Sequence, residues 1–134
     1  MLSQKLRQFC FPVKRALYAN RMKNNEELIE RIYDHCLGKD DPAESLLDAG
    51  KLPSKWSEKY LSLVESATET WKEQEYLPAK VVAAIHYASY YLNIRYEVWK
   101  IDSGKINEDT EIELESLRTP SEIFMFCGAR EKNA

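Results

Sequence analysis

His86 and Ser89 stand one helical turn apart in PAKVVAAIHYASYYLNIRYEVW, and Asn93 and Glu97 continue the same polar strip. An imidazole beside a hydroxyl is the pairing of a general base with a nucleophile. Hydrolases that use it also need a strained nucleophile turn and a glycine-rich oxyanion loop. The sequence holds neither around Ser89. The strip is therefore expected to be a hydrogen-bonded row or a small exposed groove, and no catalytic residue is assigned.

His35 and Cys36 form a second candidate, because imidazole and thiolate are both zinc ligands. Adjacent helical residues diverge by about 100°, so the two do not readily face one metal. Cys36 fits an apolar face and His35 the edge of it. Cys10, Cys36 and Cys127 show no C-x-x-C spacing, and the carboxylates fall in no DxDxDG or ExxH pattern. No P-loop or dinucleotide fingerprint occurs. Neither a metal nor a cofactor is expected. Three widely spaced cysteines fit reduced thiols in a cytosol better than a disulfide framework.

Charge is the remaining chemical signal. The net charge of −3 is mild, but six cations (Lys5, Arg7, Lys14, Arg15, Arg21, Lys23) and no acid fall in residues 1–25, so all 22 acids lie beyond them. Two acidic stretches contain aromatic or apolar residues: WKEQEY at 71–76 and INEDTEIELE at 106–115. Their candidate partner-binding residues are Glu73, Glu75, Tyr76, Glu108, Asp109, Glu111, Glu113 and Glu115. Exposed tyrosines beside acids suit a protein partner. The simpler alternative is a solvated face, or an acidic face offset by the chain's own basic first helix.

The elements that position these residues read as helices in one domain spanning 1–134. Leu2, Leu6, Phe9, Val13, Ala16 and Leu17 form a helical stripe, with Ser3 as a cap and Pro12 dividing it. Leu28, Ile29, Ile32, Tyr33, Cys36 and Leu37 form another, ended by Gly38. Asp41-Pro42-Ala43-Glu44 opens a short helix that stops at Gly50. Pro53-Ser54 opens the next, with Trp56, Tyr60, Leu63, Val64, Ala67 and Trp71 on one face.

Segment 78–99 is apolar around most of its girth: Val81, Ala84, Ile85, Ala88, Tyr91 and Leu92 form its main face, and Ala83, Tyr87, Tyr90 and Ile94 widen it. Such a helix belongs at the centre. Residues 96–114 read as helix ends and a loop, with Asp109 or Thr110 capping a short helix through Leu117, or else as a short β-hairpin. Thr119-Pro120-Ser121-Glu122 then caps a last helix ended by Gly128, and the tail AREKNA frays. The expectation is an all-α bundle of about five to seven helices around 78–99. No run approaches the roughly 20 apolar residues of a bilayer span, and the N-terminus has no signal-peptide core.

A small, acidic, helical chain with WKEQEY and INEDTEIELE but no catalytic motif resembles the immunity proteins of bacterial polymorphic-toxin and contact-dependent inhibition systems. That resemblance is general and carries no residue over. It implies a cytoplasmic inhibitor that binds a cognate protein toxin domain and blocks its active site. Were the toxin a nuclease, its basic cleft would match an acidic inhibitor. The alternative is a nucleic-acid-associated regulator that contacts phosphates through the basic N-terminal helix. The acidity of the rest of the chain opposes phosphate binding.

Overall fold

The computed structural model describes residues 24–133, with side-chain surroundings given through Phe126. The basic stripe of residues 2–17 lies outside them. Among the described residues the fold is all-α, without strands. Helix α1 covers 24–36. It is followed by α2 (Ala43–Ala49), α3 (Trp56–Trp71), α4 (Ala79–His86), a π-helical turn (Tyr87–Tyr91), α5 (Leu92–Ser103) and α6 (Glu108–Asn133). No helix here is long and apolar enough to cross a membrane.

Local chemistry sets most of these boundaries. The Asp41 carboxylate accepts the Ala43 N–H at 2.9 Å, so the aspartate caps α2. Gly50 closes α2 at φ 65° with its N–H on the Leu46 carbonyl. A Cβ on Gly50 would collide with the Trp99 ring, so the residue serves both turn and contact. The predicted face of α3 is the face buried: Trp56, Tyr60, Leu63, Val64, Ala67 and Trp71. It lies along α6, while α2 lies along α5.

The central segment is helical as expected, but it is not one regular helix. Ala84, Ala88, Leu92 and Tyr96 are all buried, each four residues after the last. In a regular α-helix such a row drifts by about 40° per step. The π turn absorbs the drift, its wider coil closing with the Leu92 N–H on the Tyr87 carbonyl. One consequence departs from the helical wheel. Tyr91, expected in the core, is exposed, as are Ala83, Tyr90 and Ile94.

The hairpin alternative at 96–114 is not what forms. α5 runs to Ser103 and is closed by Gly104 at φ 68° with its N–H on the Lys100 carbonyl. The Tyr96 hydroxyl then grips Asn107, accepting its N–H at 2.9 Å and lying 3.1 Å from its carbonyl. Asn107 caps α6 by accepting the Thr110 N–H, so the cap is neither Asp109 nor Thr110.

Pro120 does not start a new helix either. It lies inside α6, which continues past Gly128. Leu114, Leu117, Ser121 and Phe124 form an unbroken buried stripe across it. Ser121 donates to the Leu117 carbonyl and accepts from the Tyr60 hydroxyl, both at 2.6 Å, pinning the turn that proline weakens.

Candidate functional site

The acidic run sits on the first turns of α6, where carboxylates also favour the positive end of the helix dipole. Helical geometry divides it between two faces. Glu108, Glu111 and Glu115 line one shallow surface with Ile112 and Ser116. Asp109 and Glu113 turn toward the other side, where Glu113 accepts a hydrogen bond from Ser57 of α3 at 2.8 Å. The run is therefore not a single acidic patch.

The first face has an apolar counterpart that the sequence reading did not assign to a site. Ile101, Ile106 and Ile112 are 77%, 67% and 69% exposed at the α5–α6 corner. Large aliphatic side chains left in water beside carboxylates are unlike a purely solvated face. Further up α5, Tyr90, Ile94 and Val98 extend the row toward the π turn, all exposed. Spacing alone hid this ridge. Ile94 and Tyr90 looked like extra breadth on the core face, yet Leu92 and Tyr96 occupy that face. The readable signal was Ile94, Val98 and Ile101, which repeat at four and three residues out of phase with the core row.

On this surface carboxylates outnumber the cations that pair with them. Lys100 is shared by Glu97 at 3.2 Å and Glu111 at 3.6 Å. Its hydrogen bond to Glu97 raises the ammonium pKa. Arg118 is shared by Glu122 at 3.1 Å and Glu115 at 3.9 Å. Glu108 is exposed, and Lys105 in the connecting turn is an exposed cation near it in sequence. Glu111 also accepts from the Tyr96 hydroxyl at 3.2 Å, so part of its charge serves the fold.

Glu73, Glu75 and Tyr76 are exposed in the link between α3 and α4. They sit beyond the far end of α3 from Ser57, and α3 spans 16 residues, or roughly 24 Å. The two acidic stretches thus lie at opposite ends of α3.

The candidate chemical pairs take other roles. Ser89 donates to the His86 carbonyl at 3.2 Å, and Asn93 donates to the Ser89 carbonyl at 3.1 Å. The His86 ring stacks on Tyr90 with centroids 5.6 Å apart. The polar strip lines an exposed groove, and its serine is turned away from the imidazole as a base. His35 is buried rather than at a face's edge. Its Nε2 donates to the Trp56 carbonyl at 2.9 Å, its ring stacks on the Trp56 indole at 4.5 Å, and the indole N–H returns a bond to the His35 carbonyl. Cys36 is a buried free thiol whose pKa is pushed up to about 12 by burial. Among the described residues no group of three His, Cys, Asp or Glu side chains is placed to hold a metal ion. Compared with protein-family models, curated proteins and solved structures, the chain matches none.

Proposed function

We propose that this chain is a protein-binding inhibitor of the immunity type, which neutralises a cognate toxin domain by covering its basic active-site cleft. The observation that carries this reading is the α5–α6 corner, where exposed Ile112 shares a surface with Glu108, Glu111 and Glu115, and exposed Ile101 and Ile106 lie at the end of α5 and in the turn leading into α6. Apolar anchors supply affinity in a protein interface, and surrounding charge sets orientation and association rate. The same carboxylates disfavour a polyphosphate ligand at this face.

The test is co-expression with a basic toxin domain encoded beside this chain, followed by isolation of the pair. The reading expects growth rescue and a stoichiometric complex, with rescue weakened by Ile112→Asp. Rescue that is indifferent to Ile112 and to the α6 carboxylates would remove the support for it. Salt-sensitive binding of generic DNA or RNA by the intact chain, with no protein complex, would favour the nucleic-acid reading, which rests on the six cations of residues 1–25.

A further inference from the structure

A groove runs beside the corner, with the π turn and α5 forming one wall and α6 the other; its volume is about 680 Å³. We infer that this groove receives an amphipathic basic helix presented by the partner, an inference that rests on the partner-binding reading above. Three features of the groove point to a helix of that chemistry.

The first is spacing. Tyr90, Ile94, Val98 and Ile101 project along one side of α5 at intervals of four, four and three residues, all exposed. From Tyr90 to Ile101, 11 helical steps, the ridge is roughly 16 Å long, which matches about three turns of a docked helix. Helix-in-groove recognition uses anchors at i, i+3 or i+4, and i+7, and this ridge offers matching gaps.

The second is charge. The opposite wall carries Glu115 and Glu122, and Glu97 lies on the α5 side. Among the described residues that line this groove, Arg118 is the cation, and it is already held between the two α6 carboxylates. A helix flanked by lysines or arginines therefore meets carboxylates on both rims. Glu97 is likewise paired with Lys100 at 3.2 Å, but among the described residues lining the groove carboxylates still outnumber cations, so an acidic helix or the phosphates of a nucleic acid fit it less well.

The third is construction. The π turn widens the backbone where Tyr90 and Tyr91 emerge, and these rings meet edge to face at 5.6 Å. His86 stacks on Tyr90 at the same place. The groove mouth is thus lined by rings that buttress one another before any partner arrives, which lowers the ordering cost of binding.

The experiment uses the full chain and a fluorescent synthetic peptide of about 18 residues, with leucines every third or fourth position and lysines elsewhere. A second peptide of identical composition has its leucines permuted out of helical spacing. The expected result is saturable anisotropy with the first peptide and about tenfold weaker binding of the second. Ile94→Asp, at an exposed site, should weaken the first peptide about tenfold while circular dichroism stays unchanged. Leu47→Asp, on α2, should leave binding as it was. Equal binding of the two peptides, or undiminished binding by Ile94→Asp, would overturn the groove assignment. So would a photoreactive residue at position 94 that crosslinks to the chain's own residues 1–23 or to a second copy, since the groove would then be filled by this chain. Toxin rescue is measured separately. If Ile94→Asp still rescues growth and the peptides fail, the groove inference falls and the inhibitor reading stands.

Discussion

His35 donates through Nε2 to the Trp56 carbonyl, which leaves Nδ1 buried without a hydrogen-bond partner. Asp40 lies 3.9 Å from Nδ1, too far for a good hydrogen bond. Burial is the leading cause holding the imidazole pKa below 6.5, with Lys59 adding to it and the Trp56 and Asp40 contacts opposing it. The unfolded chain therefore binds the proton more readily than the folded one. Stability from keeping His35 neutral is complete above the unfolded pKa and is lost as pH falls from there toward the lower folded value. The urea midpoint should drop as pH falls below the ordinary imidazole value of 6.5, and His35→Phe should flatten that slope. Equal slopes in the two proteins would contradict this account of the buried imidazole. Ala88 gives a second prediction at this scale, because it is fully buried in the π turn. Ala88→Leu should lower stability by about 1–3 kcal/mol through overpacking, read as a lower urea midpoint.

α6 illustrates how local signals and packing compete within an element. Proline in a helix interior removes an N–H and costs about 3 kcal/mol relative to alanine. The stripe through Leu114, Leu117, Ser121 and Phe124 nonetheless holds α6 together across Pro120. Pro120→Ala should raise the denaturation free energy by about 1–3 kcal/mol, and a fall would mean that the ring's contacts outweigh the lost hydrogen bond. The legible parts of the fold were those where one periodicity governs one environment. α3 is such a case, since its six apolar residues repeat cleanly and all are buried. The caps at Asp41, Gly50 and Gly38 were legible because each side chain, or its lack, acts within a few residues. The π turn was not legible, because a four-residue row is ambiguous between a drifting α-helix and a widened coil. The α5–α6 junction was not legible either, because its closure depends on Tyr96 reaching Asn107 across 11 residues. The acidic half of the site could be read from composition. The exposed isoleucines that accompany it could not, since exposure of Ile112 follows only from which side of α6 meets α3.

Among the described residues, exposed apolar side chains and carboxylates meet at the α5–α6 corner and again, as Tyr76 beside Glu73 and Glu75, in the α3–α4 link. Leu47, exposed on α2, lines neither the groove nor the acidic surface of α6. The link bearing Glu73, Glu75 and Tyr76 lies at the other end of α3 and contributes to no shared groove with α6. The carboxylates of α6 differ in what their loss should do. Glu111 holds Lys100 and the Tyr96 hydroxyl, so Glu111→Lys should lower the thermal midpoint slightly, within the ~0–1 kcal/mol of an exposed ion pair. Glu108 is exposed, and Glu115 meets Arg118 only at 3.9 Å. Reversal of these two leaves the fold's own contacts nearly intact and acts on the surface field. The association rate of the Glu108→Lys, Glu115→Lys double variant with the basic toxin domain, followed by stopped flow at low salt, is therefore the most direct measurement. The account predicts association slowed by about tenfold, a weaker salt dependence and an unchanged thermal midpoint. Association as fast as that of the wild-type chain, from a variant folded as well, would contradict it.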